Sequence, residues 1–271
     1  MHEAGPPGAA HSTALLVPGF TGSKEDYLPV LAPLAAAGIR VLALDQRGQF
    51  ETAGPDDPGA YALDELGRDL LAVAAAAGDG PVHLVGHSFG GLAVRAAALV
   101  GPAAVHSVTL LCSGPGPIPG AEAERARKLI RALGRHGVAD IWELMSSRAR
   151  ANGDYDGVPA EIVEFLGRRF RASAPAGLAA MAAHLVDTPD RTGDLAATGL
   201  PVLVAYGVDD FIWSPAEQAG MADRLGARHE VIAAAAHSPA VQAPEATAAL
   251  LVRFWASFGG TPAGGGRGAA S

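Results

Sequence analysis

The stretch "HLVGHSFGGLAV", residues 83–94, decides how the chain is read. An apolar run ends at Gly86, a serine stands at position 88, and Gly90 and Gly91 open a second apolar run. A serine at such a junction can be a helix cap and nothing more. The glycines two places to either side ask for something tighter. A strand that turns directly into a helix forces its apex residue into a strained backbone, and side chains two positions away would collide. Glycine at 86 and 90 removes both collisions. The apex hydroxyl then stands clear of the sheet, with the free N–H groups and positive dipole end of the helix behind it. Gly86-His87-Ser88-Phe89-Gly90 thus reads as strand, sharp turn and helix, with Ser88 the candidate nucleophile. Phe89, the residue after it, is placed to offer a backbone N–H to a developing oxyanion.

The surrounding chain supports that context. "TALLVPG" (13–19), "RVLALD" (40–45), "PVHLVG" (81–86), "VHSVTLLC" (105–112), "PVLVAYG" (201–207) and "HEVIAA" (229–234) are short, nearly continuous apolar runs. Continuous runs suit parallel strands covered on both faces, where alternating ones would suit a half-exposed sheet. Helical patterns lie between them, near 24–37, 61–77, 89–100, 216–225 and 240–257. Strands alternating with helices predict a doubly wound, mostly parallel α/β sheet of about six strands. From 117 to 195 no strand pattern appears; amphipathic segments predict a helical insertion that caps the site. The expected organisation is a flexible N-terminus (1–12), a core in two parts (13–116 and 196–258), the insertion (117–195) and a disordered tail (259–271).

Composition narrows the chemistry. Apolar residues make up 49% of the 271, ample for a sizeable core, and the net charge is −8 without a basic run, which argues against nucleic acid as a partner. Cys112 is the only cysteine, so no intrachain disulfide forms, and its apolar setting favours an inert buried thiol. No Cys/His cluster has metal-ligand spacing, so neither metal nor cofactor is expected. The N-terminus has no leader-like pattern, and no run suits a membrane span; a cytoplasmic location is the expectation. Oligomeric state is not encoded in any pattern found.

A serine hydroxyl needs a base, and the base an orienting acid. "AYGVDDFIWSP" places Asp209 and Asp210 directly after a strand, and "AAAAHSPAVQAPE" places His237 after the last strand. The chain order is serine, aspartate, histidine, and all three fall at the carboxyl ends of strands, where sites form in open α/β sheets.

On these residues the chain resembles the α/β-hydrolase-fold serine hydrolases, bacterial carboxylesterases and monoacylglycerol lipases in particular. The stretches that carry the resemblance are "LLVPGFTGSKEDYLPV", "VLALDQRGQFET", "HLVGHSFGG", "LVAYGVDDFIWSP" and "AAHSPAVQAPEATAALLVRFW", spread over residues 13–257. In that family the acid falls three residues after the glycine that ends its strand, which implies Asp210 over Asp209. The family's loop after its first central strand implies Phe20 as the second oxyanion donor, with its side chain free to line the acyl pocket. Pro18 stands where the family commonly has histidine. "DQRGQ" (45–49) resembles a structural turn of the family in which Asp45 and Arg47 brace a loop; Gln49 and Phe50 depart from the pattern. Aspartate-nucleophile relatives share the fold, but a serine stands at 88.

The expected function is hydrolysis of an ester, or of a thioester, lactone or amide, through an acyl-enzyme on Ser88, His237 and Asp210. The expected partner is a small apolar or acyl substrate, lined by Phe20, Trp213, Trp142 and Met145. The same constellation would serve carbon–carbon hydrolysis, perhydrolysis, a cofactor-free lyase step, or a receptor-like protein that binds a small ligand.

Overall fold

The apolar runs become the strands of a single sheet. The structure is a computed structural model and describes residues 1–6 and 10–257. In chain order the strands are β1 (His2–Ala4), β2 (Ser12–Val17), β3 (Ile39–Ala43), β4 (Val82–His87), β5 (Val105–Leu111), β6 (Val202–Gly207) and β7 (Arg228–Ile232). Across the sheet they run β1-β3-β2-β4-β5-β6-β7, and every pairing is parallel except β1 with β3.

β1 corrects the expectation of a loose first dozen residues. Its three residues pair antiparallel with β3, His2 opposite Ala43 and Ala4 opposite Val41. Glu3 accepts a hydrogen bond from Arg40 Nε at 2.8 Å. Three residues are too short to show a strand period, and what holds them is a partner about forty residues away. The tail expected to be disordered, 259–271, lies outside the described residues.

Alternate strand residues face opposite layers, as the strand period of two requires. Leu15, Val17, Leu84, Val108 and Leu110 pack with helices α2 (Leu63–Ala77) and α3 (Phe89–Val100). Leu16, Val41, Val85, Leu111 and Leu203 pack on the other face, against α1 (Leu28–Ala36) and the C-terminal helix. Leu84 is 1% exposed; truncating it to alanine would cost about 2–5 kcal/mol.

Between β5 and β6 come α4 (Gly120–Leu133), α5 (Val138–Asn152), α6 (Ala160–Ala172), α7 (Pro175–Asp187) and α8 (Thr192–Ala197). Gly153, at φ 78°, stops α5 in a left-handed cap. The insertion has its own small core of Ile141, Phe170 and Leu178, and Phe20 from the loop after β2 packs against it. After β6 come α9 (Pro215–Leu225) and then, beyond β7, α10 (Pro239–Gln242) and α11 (Pro244–Ala256). The sequence pattern predicts one helix over 240–257. Pro244 breaks it, because the residue before proline is driven out of the helical region and Ala243 sits at φ −143°.

Candidate active site

Ser88 ends β4 and opens α3. Its φ is +52°, a value that L-residues rarely adopt. A Cβ on Gly86 would lie 2.3 Å from the Gly90 carbonyl oxygen, and one on Gly90 would lie 2.3 Å from that of Val17. Those are backbone atoms that cannot step aside, so the tight turn is possible only with glycine at both positions. The Ser88 N–H is held by the Leu111 carbonyl at 2.9 Å, which anchors the turn to β5.

The side chains expected from sequence meet at this turn. His237 Nε2 lies 3.0 Å from Ser88 Oγ, and His237 Nδ1 lies 2.9 Å from Asp210 Oδ1. Asp210 is 5% exposed, whereas Asp209 is exposed and its N–H bonds the Ala235 carbonyl. Burial pushes the Asp210 carboxyl up. The hydrogen bond and charge of His237, the Ile212 N–H at 3.0 Å and the Gln218 amide at 2.8 Å outweigh burial and hold it below the ordinary carboxylate value. An ionised carboxylate in that position keeps a proton on Nδ1 and leaves Nε2 facing the serine as an acceptor.

Sequence reasoning missed several neighbours of these groups. His87 Nε2 donates to the His237 carbonyl, its ring 5.0 Å from the His237 ring. Gln242 Oε1 accepts from the N–H groups of Ala236 and Ser238, on either side of His237, at 2.9 and 3.0 Å. Gln218 Nε2 joins Asp210 to the Trp213 carbonyl. Phe211 is 66% exposed, with its ring 5.7 Å from that of His237. No spacing in the sequence points to these partners, because each contact closes over a fold-dependent path.

The residues expected to line a substrate pocket divide. Phe20 is half-buried and touches both the main core and the core of the insertion. Trp213 differs from expectation: it is 1% exposed, belongs to the core, and donates through Nε1 to the Gly116 carbonyl at 3.3 Å. An indole on a tight post-strand loop finds more apolar surface beneath the loop than above it. Trp142 lines a cavity of about 380 Å³ within the insertion, with Glu143, Arg150, Tyr155 and Arg171, and that cavity contains none of Ser88, Asp210 and His237. Met145 is 42% exposed on α5 and does not line that cavity. Trp142 instead packs its ring 5.7 Å from that of Phe170 in the core of the insertion.

Cys112, Asp210 and His237 place one ligand-type atom each within 4.8 Å of one another. The set does not suit a metal. Asp210 and His237 are already bonded to each other, and burial with the nearby Asp210 charge raises the Cys112 thiol well above its ordinary value, away from the thiolate a metal needs.

The loops around the serine are tied by a buried cation. Lys24, 2% exposed, bonds Asp45 at 2.6 Å, Glu51 at 2.8 Å and Glu25 at 3.0 Å. Burial pulls its ammonium down, and the bonds to these carboxylates more than reverse that. Asp45 braces this loop, as the resemblance implied, and Arg47 binds Asp69 and the Ala60 carbonyl.

Comparison with known proteins agrees with the architecture. Residues 14–250 match the model of the alpha/beta hydrolase family. A Variovorax paradoxus protein, named as a candidate carbamate hydrolase, is 31% identical over 202 residues, 72% of this chain and 73% of its own length. A hydrolase of 2-hydroxy-6-oxononadienedioate and 2-hydroxy-6-oxononatrienedioate from Cupriavidus pinatubonensis is 30% identical, covering 75% of this chain and 72% of its own. Among solved structures, a thermophilic esterase from Thermogutta terrifontis superposes with a TM-score of 0.75 at 26% identity, over 94% of this chain and 92% of that one. The serine at a strained strand-to-helix turn, the sheet order and these matches agree, and the chain belongs to the alpha/beta hydrolase family of hydrolases.

Proposed function

We propose that this hydrolase cleaves a carboxylic ester of a small apolar acyl group through an acyl-enzyme on Ser88. The observation that carries the reading is the run of contacts Ser88 Oγ–His237 Nε2, 3.0 Å, and His237 Nδ1–Asp210 Oδ1, 2.9 Å, at a serine with φ +52°. His237 Nε2 takes the serine proton as Oγ attacks the ester carbonyl. The carbonyl oxygen becomes an oxyanion and accepts from the backbone N–H groups of Phe20 and Phe89. Phe89 opens α3, where the first N–H groups have no acceptor within the helix. Asp210 stabilises the imidazolium. His237 then returns its proton to the leaving alkoxide and the alcohol departs. Water, deprotonated by His237, attacks the acyl carbon, and collapse of the second tetrahedral intermediate frees the acid and restores Ser88.

The insertion is a cap that sets substrate choice, with Phe20 at its boundary as acyl-pocket lining. Phe211, exposed with its ring 5.7 Å from that of His237, supports a contact with the leaving group as it receives its proton. A second reading has one supporting observation, the 31% match to a candidate carbamate hydrolase. The same acyl transfer would cleave a carbamate C–N or C–O bond.

A fluorophosphonate should add one covalent label, and Ser88→Ala should abolish it and lower turnover of a p-nitrophenyl ester by roughly four to six orders of magnitude. Labelling that survives the substitution would overturn the assignment. Comparing p-nitrophenyl acetate with a matched carbamate separates the two readings by kcat/KM.

A further inference from the structure

Glutamine is scarce in this chain: it occurs at 46, 49, 218 and 242 and nowhere else. All four side chains hold a loop of the candidate site. Gln218 binds Asp210, and Gln242 clasps the N–H groups flanking His237. The other two lie in the loop after β3 and act on the loop after β2. Gln46 Nε2 donates to the Pro18 carbonyl at 3.0 Å, and Gln49 Nε2 donates to the Gly19 carbonyl at 2.8 Å. Gln49 Oε1 accepts from the Gln46 N–H at 3.0 Å, so its amide orientation is fixed. Gln46 and Gln49 are 4% and 2% exposed.

We infer that Gln49 is a positioning residue for the oxyanion hole. The argument rests on the ester-hydrolase reading above and on one property of the peptide bond. In a trans peptide the carbonyl of one residue and the N–H of the next point in opposite directions within one rigid plane. Anchoring the Gly19 oxygen therefore sets the direction of the Phe20 N–H. This loop lies against the nucleophile: a Cβ on Gly19 would come within 3.1 Å of Ser88 Cβ and 3.0 Å of His87 Nδ1. Thr21, which follows Phe20, is held at φ +57°, an unfavourable value for a β-branched side chain. A loop under strain relaxes unless its neighbours over-determine it. The Gly22 N–H also reaches the Gly19 oxygen, at 3.1 Å, but it belongs to the same loop and would move with it. Gln49 is the anchor from outside.

That anchor is itself tied to the insertion. The Gly48 carbonyl accepts from the Ala174 N–H at 2.9 Å, the Phe50 N–H donates to Ser173 Oγ at 3.2 Å, and the Phe50 and Phe165 rings meet edge to face at 5.8 Å. Residues 46–50 thus stand between the helices over the site and the peptide that would bind the oxyanion. A neutral amide suits this position because it donates without placing a charge beside the Ser88–His237 pair.

The test uses Gln49→Glu, which keeps the acceptor for Gln46 but cannot donate to Gly19, and Gln49→Met, which keeps the length and removes both functions. Each is compared with wild type on p-nitrophenyl acetate and on a trifluoromethyl ketone whose tetrahedral adduct carries the oxyanion. Removing an oxyanion donor outright costs about 10²–10³ in kcat, so misdirecting one should cost roughly tenfold to a hundredfold. The loss should lie in kcat, with KM within about twofold. Ketone affinity should fall by the same factor as kcat/KM. The pH midpoint of kcat/KM should not move in Gln49→Met, since the amide does not touch His237, whereas the charge added by Gln49→Glu should raise it. A fold defect would instead lower the fraction of enzyme that the fluorophosphonate can titrate and leave kcat per titratable site intact. Variants that match wild type in kcat and ketone affinity would overturn the role of Gln49 alone. Wild-type protein that never acylates on Ser88 would overturn the ester-hydrolase reading and this role with it.

Discussion

The two ends of the sheet solve the same turning problem with different residues. At the amino ends, the turns into β3, β4, β6 and β7 use Gly38, Gly78, Gly199 and Gly226, all at positive φ. Glycine adopts that conformation at little cost. At the carboxyl ends, the loops after β2, β3, β4 and β5 hold Thr21, Phe50, Ser88 and Cys112 at positive φ. Among the described residues these are the non-glycine residues with positive φ, and they gather at the candidate site. Each costs of order 1–3 kcal/mol. Glycine was available to the chain, which has 35 of them. Gly48, at φ +75° in the loop after β3, is a glycine at the carboxyl ends too, so the contrast between the two ends lies in the non-glycine residues.

The largest expected effect breaks the carboxyl-end machinery directly. Asp210→Asn removes the charge that holds the His237 tautomer, and kcat should fall by up to about ten-thousand-fold, as in the serine-protease precedent. Asp209→Asn, at an exposed carboxylate one residue earlier, should change kcat by less than about tenfold. Steady-state turnover of a p-nitrophenyl ester decides this. Equal losses in both variants would mean that the buried Asp210–His237 contact is not what orients the base.

The second effect is on the fold itself. A Cβ at Gly90 meets the Val17 and Pro18 carbonyl oxygens at 2.3 and 2.7 Å, so Gly90→Ala must separate α3 from β2. Overpacking of this kind costs about 1–3 kcal/mol, and more where backbone has to yield. Gly220→Ala, inside α9 with no atom within 4 Å of the new methyl, should gain about 0.5–1 kcal/mol. Urea denaturation of both variants measures the contrast, and a neutral Gly90→Ala would show that the turn tolerates side chains.

These contrasts also explain what could be seen in the sequence. Five of the strands lie on largely apolar runs, the edge strand β7, Arg228–Ile232, being mostly polar and exposed, and the turn at Ser88 has glycines whose collisions can be derived without coordinates. Asp209, Asp210 and His237 lie beside strand ends, where chain order puts an acid and a base, and the choice of Asp210 over Asp209 came from the family resemblance. β1 was invisible because "HEA" has no period and is held by β3. The burial of Trp213 was invisible because an aromatic on a loop reads the same whether it faces up or down. Gln46 and Gln49 stood in a quoted motif, yet their acceptors lie about thirty residues upstream, and only the parallel pairing of β2 with β3 brings the loops together. The break between α10 and α11 is legible at Pro244, since the residue before a proline is disfavoured in the helical region.

A third test probes the amino-end half of β4, where His83 is 3% exposed, stacked on Trp255 and 2.8 Å from Ser107 Oγ. Burial, with the charge of His106, lowers its pKa to about 3. The unfolded chain takes up this proton near pH 6.5 and the folded chain does not, so the unfolded state binds more protons between those values. Stability from His83 is therefore complete above about pH 6.5 and declines as pH falls toward 3. By pH 5 one such group accounts for about 2 kcal/mol. His83→Gln should narrow the difference between its own stability and that of wild type by that amount from pH 7.5 to pH 5, with kcat unchanged at pH 7.5. Parallel pH–stability curves would show that His83 titrates normally in the folded protein.

The smallest expected effect tests the opening contrast most directly, because it exchanges the two solutions. Thr21→Gly places at the carboxyl end the residue used at the amino ends. Relief of left-handed strain returns about 1–2 kcal/mol, and the added freedom of the unfolded chain takes back about 0.4–1 kcal/mol. The net should be a gain of between about 0 and 1.6 kcal/mol. Turnover should nonetheless drop, by roughly tenfold, because the peptide that carries the Phe20 N–H is then free to sample other directions. Gly78→Ala performs the reverse exchange at an amino-end turn. Its φ is +77° and no atom lies within 4 Å of the new methyl, so only backbone strain acts and stability should fall by about 1 kcal/mol. Turnover should not change. Paired measurements of urea midpoint and kcat therefore predict a crossed pattern, with one variant keeping stability and losing rate and the other losing stability and keeping rate. If Thr21→Gly keeps its full kcat, the strained loops contribute nothing to turnover, and the gathering of positive-φ residues at the carboxyl ends would have to be explained by packing alone.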